Sequence, residues 1–336
     1  MKCVGAVLVL GMLVGAWAIP VPAPLIHFPP CDSHDIEEAA VVAVDYINSH
    51  QEHGYKYALA RIEKAKVIST PAGGDTIILE LDLLESNCHV LNPTPIANCT
   101  VRPKTAMRIE GDCDVAVKKL DGVLSVLAFK CKSEPDSRED FCGGCPTLLP
   151  LNHTDGLEVV DVALEALNRQ ANATTYKLVE VSRLTSQVIG GGFKLETEFV
   201  TVETNLMDDT RVPFHGFCQA STVTKPPTPS VDCSLFQIPP APVAPATNDT
   251  TLPGPQVLPG PGPLGGLHHK LIHLHDPAAT GLLSVSKESG EVPVVKRDVL
   301  AVPTAPSEPD QPTVVDQGPV IGGPGPVICP GRIRIL

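Results

Sequence analysis

The chain has 336 residues, of which 43% are hydrophobic and 4% are aromatic, and its formal net charge is −13 at pH 7. This length is typical of two domains, or of two domains and a tail. The strong negative charge disfavours broad binding to nucleic acid and favours the attraction of cations such as calcium.

A short apolar segment at the amino terminus is typical of a secretory signal peptide. Lys2 precedes an apolar run from Val4 to Ala16, and Ala16-Trp17-Ala18 is a small-x-small cleavage motif. The sequence therefore predicts a signal peptide over residues 1–18, cleavage between Ala18 and Ile19, and a secreted, extracellular protein. An uncleaved anchor is the alternative, but the run is shorter than the roughly 20 apolar residues of a membrane span, so none is expected.

Cysteine usage agrees with secretion. Cys3 leaves with the signal peptide, and an even number of cysteines remains, which predicts disulfide bonds in a secreted chain. A zinc site or redox chemistry is the alternative, but Cys142-Gly-Gly-Cys145 is the sole CxxC motif in the sequence. The remaining cysteines are Cys31, Cys88, Cys99, Cys113, Cys131, Cys142, Cys145, Cys218, Cys233 and Cys329.

An internal repeat lies between about Cys31 and Ile238. Asp35-Ile-Glu-Glu38 and Asp155-Gly-Leu-Glu158 both resemble a helix N-cap with an acid three residues on. Apolar residues then recur at i, i+3 and i+4 in both copies, which predicts two amphipathic helices. The helical patterns end near Asn48 and Asn168, and a strand-like run then opens on Tyr55 or Tyr176.

After each predicted helix the hydrophobic period changes to two, which is typical of strands with one buried face. One helix followed by about four antiparallel strands predicts an α+β unit in which the sheet wraps the helix. The strand patterns lie at Ile77–Leu84, Val115–Val117, Val123–Phe129, Tyr176–Leu184 and Phe193–Val202.

The last 98 residues, 239–336, differ in composition from the rest of the chain. They contain 19 of the 35 prolines and no Phe, Tyr or Trp. Such a segment cannot bury enough apolar area to offset its ordering entropy, so we expect a largely disordered Pro-rich tail. Histidine can ligate zinc or copper, so four tail histidines form a weak candidate metal site, with a soluble tract as the alternative. They are His268, His269, His273 and His275.

Four stretches of the sequence resemble the fetuin family. They are Glu37-Glu-Ala-Ala…Asp45-Tyr-Ile-Asn48, Cys88-His-Val-Leu-Asn-Pro-Thr-Pro95, Glu110-Gly-Asp-Cys-Asp114 and Cys329-Pro-Gly-Arg-Ile-Arg334. The resemblance covers nearly the whole chain. It implies two tandem cystatin-like domains, at 19–141 and 147–238, joined by a CxxCP linker at 142–146 and followed by the tail at 239–336.

The family pattern also implies a disulfide connectivity that the sequence alone leaves open. The implied pairs are Cys31–Cys329, Cys88–Cys99, Cys113–Cys131, Cys142–Cys145 and Cys218–Cys233. The family usually has a further disulfide in the second domain, but residues 200–212 contain no cysteine, so this domain is less cross-linked.

Catalytic motifs of serine hydrolases, zinc proteases and P-loop enzymes are absent from the sequence. If all ten cysteines pair, a thiol nucleophile is absent as well. We therefore expect a protein that is not an enzyme and that needs no cofactor.

Acidic residues alternate along two predicted strands. Residues two apart on a strand share a face, about 6.6–6.8 Å apart, and adjacent strands are about 4.8 Å apart. Calcium needs six to eight oxygen ligands, so a flat carboxylate array favours multivalent contact with a calcium phosphate cluster over capture of one ion. An ordinary solvated strand face is the alternative. The candidate ligands are Glu80, Asp82, Glu85, Glu110, Asp112 and Asp114.

The fetuin resemblance implies the same ligand, because this family includes a mineral chaperone, and it implies inhibition of ectopic mineralisation as the function. It also implies proteases, growth factors and the insulin receptor as partners. The residues give no independent support for the last two.

A cystatin-type endopeptidase inhibitor of cysteine or metalloproteases is the alternative function. The inhibitory hairpin of cystatins reads Q-x-V-x-G. Val67-Ile-Ser-Thr-Pro71 in the first domain lacks both Gln and Gly, and Gln187-Val-Ile-Gly190 in the second is one residue short. In metalloprotease inhibitors of the family an acid in the linker reaches the metal, whereas this chain has Gly144 there.

Short motifs predict covalent modification. The N-glycosylation sequons begin at Asn98, Asn152, Asn172 and Asn248. Ser-x-Glu motifs of secretory-pathway kinases place candidate phosphoserines at Ser137, Ser286 and Ser289. The dibasic pair Lys296-Arg297 is a candidate cleavage site in the tail.

Overall fold

The structure is a computed structural model that describes residues 24–71, 73–136, 143–171, 174–190, 192–204, 211–223, 225–238, 256–257, 266–271, 274–275, 283 and 329. It contains two successive units of one helix and one antiparallel sheet. The first unit comprises β1 (Leu25–His27), α1 (His34–His50), β2 (Tyr55–Thr70), β3 (Gly74–His89), β4 (Ile109–Leu120) and β5 (Val123–Pro135). The second comprises β6 (Thr147–Leu148), α2 (Thr154–Gln170), β7 (Tyr176–Ile189), β8 (Gly192–Glu203), β9 (Phe214–Thr222) and β10 (Ser230–Gln237).

Each sheet is a meander in which consecutive long strands are neighbours. The first has the order β1-β2-β3-β4-β5 and is extended by two short tail strands, β12 (Leu274–His275) and β11 (Gln256–Val257). The second has the order β10-β9-β8-β7-β6. The predicted α+β class with two tandem units is confirmed.

A helix packs on the inner face of each sheet. The buried stripe of α1 includes Ala40, Ala43 and Ile47, and it meets the buried side chains Leu81 and Phe129 of the first sheet. In the second unit the corresponding core is formed by Val159, Val160, Ala163, Leu184 and Phe199. The small alanines let each helix lie close to its sheet. Along each strand, alternate residues face this core and the others face outward.

An asparagine at each helix end binds the backbone of the following strand. The side chain of Asn48 donates to the carbonyl of Tyr57 at 2.8 Å and accepts from the same residue's N–H at 2.8 Å. Asn168 makes the same two bonds with Tyr176, at 3.0 and 2.7 Å. The repeat seen in the sequence therefore has a structural basis, because both copies use one amide to fix the turn from helix to strand.

The predicted helix caps were wrong by two residues. The N-cap positions are Ser33 and His153, and the helices begin one residue later. Asp35 and Asp155 lie in the first helical turns, where a carboxylate is favoured by the positive end of the helix dipole.

Four of the disulfide bonds implied by the family pattern are present: Cys31–Cys329, Cys88–Cys99, Cys113–Cys131 and Cys218–Cys233. The Cys113–Cys131 and Cys218–Cys233 bonds each join directly facing residues of a terminal hairpin. The fifth expected bond involves Cys142, which lies outside the described residues.

The described part of the predicted tail packs against the first unit. Leu271 belongs to the core of that unit, and Leu283 packs on Ala116 and Ala128 of the sheet. Strand β12 pairs with β5 through Leu274 and Phe129. The tail is therefore anchored at several separate points. Within the described residues, no helix has the length and hydrophobicity of a membrane-spanning segment.

Candidate functional site

Five of the six candidate carboxylates lie on the outer face of the first sheet. Glu80 directly faces Asp114 across β3 and β4, and Asp82 directly faces Asp112. Glu110 lies on the same face, two residues before Asp112. All five are partly or fully exposed. The alternation of the strands therefore brings the expected flat carboxylate array together.

Glu85 does not belong to this array, and its inclusion was wrong. It is an odd number of residues from Glu80, so it points to the opposite face of β3, where it is buried. There it accepts a hydrogen bond from Arg183 of the second unit at 2.9 Å and one from the backbone N–H of Ile109 at 3.0 Å. Burial raises the pKa of Glu85, and the charges of Arg183 and Arg102 oppose this shift. Glu85 is a residue of the domain contact.

The carboxylates are bracketed by cations on both sides. Lys64 on β2 faces Glu80, and Lys130 on β5 faces Asp114. This gives a transverse row of four charges, Lys64–Glu80–Asp114–Lys130, which we call the Lys64 row. The next row, here the Arg61 row, is Arg61–Asp82–Asp112–Lys132. The site predicted from the sequence did not include these cations, although the alternation of Lys130 and Lys132 is visible in the sequence.

The cations of β2 form ion pairs with the acids of β3. Lys64 Nζ lies 2.6 Å from Glu80 Oε2, and Arg61 donates to Asp82 Oδ2 through Nη2 at 2.8 Å and Nε at 3.0 Å. The hydrogen bonds to these acids raise the pKa of both Lys64 and Arg61. The β3 acids are therefore partly neutralised by their own sheet.

The acids of β4 are more crowded by negative charge. Partial burial raises the pKa of Asp112, and the charges of Asp82 and Glu134 raise it further. Partial burial also raises the pKa of Glu110, with the charge of Asp136 adding to the effect. A raised carboxyl pKa means that the ionised form is disfavoured, so a bound cation would stabilise this part of the face.

The second sheet does not offer an equivalent face. Its corresponding row reads Arg183–Glu198–Gln219–Asp232, with a neutral residue in the third place and an acid in the fourth. Glu198 is also occupied, because both terminal nitrogens of Arg102 from the first unit donate to it at 2.9 Å. Arg102 and Arg183 line a cavity of about 270 Å³ between the units.

A buried carboxylate, Glu180, joins both units and the tail. It accepts from His53 at 2.8 Å, His89 at 3.1 Å and the N–H of Gly54 at 2.9 Å, and His269 lies 3.2 Å away. Burial opposes ionisation of Glu180, but the hydrogen bond and charge of His89, together with the charge of His269, lower its pKa to about 2.

The histidines predicted as a weak metal site do not share one set of partners. His269 donates to the carbonyl of Val181 at 2.9 Å, whereas His268 lies 3.2 Å from the carbonyl of Ser133. His273 and the side chain of His275 lie outside the described residues. The two described histidines thus hold the tail in the domain contact.

The second-domain hairpin named in the alternative hypothesis lies beside the linker. Gln187 Nε2 donates to the carbonyl of Gly144 at 2.8 Å. At the hairpin end Val188 is 66% exposed and Phe193 is 65% exposed. Phe193 also borders a cavity of about 390 Å³ with Leu149 and other residues. This edge is an exposed apolar surface.

Two of the predicted modification sites are described, and both are accessible: Asn98 and Asn152 are exposed. The remaining predicted processing and modification sites lie outside the described residues. They are Ala18, Ile19, Asn172, Asn248, Ser137, Ser286, Ser289, Lys296 and Arg297.

Comparison with known proteins gives consistent matches. Residues 144–224 match the Cystatin domain model. The chain is 36% identical to Alpha-2-HS-glycoprotein of Bos taurus, over 97% of this chain and 96% of the relative. It is 35% identical to the Homo sapiens protein of that name, over 99% of both chains.

Solved structures show the same architecture. Mouse fetuin-B aligns with a TM-score of 0.55 and 26% identity, over 63% of this chain and 70% of that chain. Mouse fetuin-B in complex with crayfish astacin aligns with a TM-score of 0.56 and 26% identity, over 65% and 76%. The two units are therefore tandem cystatin-like domains.

Proposed function

Because the chain belongs to the alpha-2-HS-glycoprotein (fetuin-A) family, we propose that it is a secreted glycoprotein that binds calcium phosphate and inhibits ectopic mineralisation. It is a non-enzymatic protein, as expected for a fetuin with cystatin-like domains. The signal peptide predicted from the sequence supports an extracellular location.

The observation that carries the proposal is the register of β3 and β4. Two pairs of carboxylates, Glu80 with Asp114 and Asp82 with Asp112, face each other on an accessible surface. Adjacent strands are about 4.8 Å apart. Two Ca–O bonds of 2.3–2.6 Å placed end to end span about 4.6–5.2 Å, so each facing pair can share one calcium ion.

The flat arrangement favours a solid surface over a single ion. A facing pair supplies far fewer oxygens than the six to eight that calcium requires, so the other ligands must come from elsewhere. In a calcium phosphate cluster, phosphate oxygens already supply them. Several weak contacts made at once then give tight attachment by multivalency. A protein layer attached in this way would block the addition of further ions and halt growth.

The proposal is tested by precipitation of calcium phosphate from supersaturated buffer. A variant with Glu80→Gln, Asp82→Asn, Asp112→Asn and Asp114→Asn should lose most of its inhibition. A matched control neutralises four exposed acids of the helices: Asp45→Asn, Glu158→Gln, Asp161→Asn and Glu165→Gln. Each variant loses four negative charges. The proposal therefore requires that only the first variant loses inhibition. Full inhibition by the first variant would reject this site.

Protease inhibition is a second candidate, supported by the contact between Gln187 and Gly144. This bond holds the linker beside the apolar hairpin end of Val188 and Phe193, which could enter a protease cleft. Mouse fetuin-B, a structural neighbour, forms a complex with crayfish astacin. The linker of this chain carries glycine where an acid would reach the metal, so the apolar edge would have to supply the binding.

Titration against a papain-like and an astacin-like protease tests this second function. Sub-micromolar inhibition that is lost in Phe193→Ser would establish it. The double variant Leu25→Ser and Val123→Ser, which changes exposed apolar residues of the first domain, is the control and should retain the inhibition. Absence of inhibition at micromolar concentration would reject this function.

A further inference from the structure

The Lys64 row and the Arg61 row each have the same order of charges: a cation, two carboxylates and a cation. Together they contain four acids and four bases, so their formal charges cancel. A surface on which the charges balance in this way binds a free calcium ion weakly, because the flanking cations repel it. It is better suited to a ligand that itself carries both signs.

We propose that Lys130 and Lys132 bind phosphate ions of the mineral while the carboxylates beside them bind calcium, so that this face recognises calcium together with an oxyanion. This inference rests on the proposed function and specifies its ligand. Lys130 and Lys132 would be specificity-determining residues, since they favour the ionic cluster over the dissolved cation.

The two outer columns of cations differ in the acids with which they pair. Arg61 and Lys64 are held against Asp82 and Glu80 by the short contacts described above. On the other side, Lys132 reaches Glu134 at 2.9 Å, and its side chain is 64% exposed. Exposed ion pairs of this kind contribute little to stability. Lys132 can therefore exchange Glu134 for a phosphate at small cost, and the same strand presents Lys130 two residues away.

The spacing of the face suits a ligand with alternating charges. Each row crosses four strands and so extends over about 14 Å, and the two rows are about 6.7 Å apart along the strands. A calcium between facing carboxylates of β3 and β4 would lie about one and a half strand spacings, roughly 7 Å, from β5, which carries the lysine of the same row. A phosphate that bridges this calcium and the lysine would therefore contact two opposite charges at once.

The second domain shows that this order of charges does not follow from the fold alone. The strands have the same order there, yet the row that begins at Arg183 continues to Gln219 and Asp232. The row beside it reads Thr185–Glu196–Ser221–Ser230. Neither row ends on a cation, so the symmetric order is specific to the first domain.

The experiment compares three variants in two measurements. The first variant is Lys130→Gln with Lys132→Gln, the second is Lys130→Arg with Lys132→Arg, and the control is Arg169→Gln with Lys177→Gln, two exposed cations of the second domain. One measurement is the protein concentration that half-inhibits calcium phosphate precipitation. The other is the affinity for calcium chloride alone, by titration calorimetry.

The glutamine variant should need about threefold to tenfold more protein for half-inhibition, because two exposed charge contacts are lost. Its affinity for calcium alone should be unchanged or higher. The arginine variant and the control should behave like the wild-type protein. Thermal unfolding of each variant shows whether it is folded.

Unchanged half-inhibition by a folded glutamine variant would overturn the inference, as would a parallel loss of affinity for calcium alone. The four-acid variant described above keeps the two claims apart. If it loses inhibition while the glutamine variant does not, calcium phosphate binding stands and the role of the lysines fails. If it retains full inhibition, the acidic face fails as the mineral-binding site and the role of the lysines fails with it, whereas absence of inhibition by the wild-type protein would reject the proposed function.

Discussion

Arg183 of the second domain donates to both carboxylate oxygens of Glu85 in the first domain, at 3.2 and 2.9 Å, and both side chains are buried. Arg183 also donates to the carbonyl of Ala106 at 2.6 Å. The two domains are thus joined by a buried charge pair that contributes two hydrogen bonds across the domain contact.

Breaking this pair should destabilise the whole molecule. Glu85→Gln removes the carboxylate that is hydrogen-bonded to the buried guanidinium of Arg183, and loss of one partner of a buried ion pair costs about 3–5 kcal/mol. Urea unfolding should show this loss as a lower midpoint. Glu80→Gln, on the exposed face of the same strand, should change the free energy of unfolding by less than about 0.5 kcal/mol. Equal effects of the two substitutions would contradict the buried position of Glu85.

Removing one acid from the crowded face should increase stability and reduce mineral binding. Partial burial, together with the charges of Asp82 and Glu134, raises the pKa of Asp112, so the folded state disfavours its ionised form at neutral pH, and protonation relieves this cost as pH falls towards the ordinary value of 3.8. Asp112→Asn should therefore stabilise the protein at pH 7 by up to about 0.5 kcal/mol, the scale of one cross-strand pair.

Two measurements check this expectation. Thermal unfolding should show a gain for Asp112→Asn at pH 7 that shrinks near pH 4, and precipitation assays should show weaker inhibition. Asp45→Asn, on the exposed face of α1, is the control and should change neither. A destabilised Asp112→Asn variant would contradict the crowding of the face.

The contact at Glu180 should make stability depend on acidity. Its pKa of about 2 in the folded protein lies below the ordinary value of 4.5. The contribution is fully present above pH 4.5 and is lost as pH falls towards 2. Glu180→Gln should cost roughly 3 kcal/mol at about pH 5, since each unit of pKa shift corresponds to 1.36 kcal/mol and the shift requires protonated histidine partners. Unfolding curves of the variant and the wild type should converge near pH 2, and a constant difference would contradict the shift.

The packing of Leu271 in the first domain should protect the tail from proteolysis. This side chain is 3% exposed, and a Cβ placed at Gly111 would lie 2.7 Å from its Cδ1 atom. Leu271→Ala should cost about 2–5 kcal/mol, as in other large-to-small core changes, and Gly111→Ala should displace the same side chain. Both variants should be cut faster in the tail by trypsin. Leu235→Ala, at an exposed site, should not, and equal cutting of all three would contradict the anchor.

Sequence patterns predicted the helices, the long strands and five of the carboxylates, because a period of two assigns alternate residues to opposite faces. Strict application of the same rule would have excluded Glu85. The rows were harder to foresee. Arg61 and Lys64 are three residues apart and should alternate, but irregularities in β2 between Leu59 and Lys64 place both on the acidic face. Such bulges, and the register of each hairpin, depend on tertiary packing.

The domain contact was also beyond a local pattern. Glu180 and His89 are 91 positions apart, and no periodicity connects them. The tail was judged by its composition, which describes an average over many residues. Single apolar residues such as Leu271 can still find a place in a neighbouring core, and composition does not reveal them.

The pairing of Glu198 in the second sheet with Arg102 has a consequence for mineral particles in suspension. A molecule with two adhesive faces would tie grains together and make them settle. If the proposed function holds, only the first sheet presents an acidic face, because Glu198 of the second is paired with Arg102, so each copy would cap a grain and would not cross-link two. Excess protein should therefore keep a suspension dispersed and should not flocculate it.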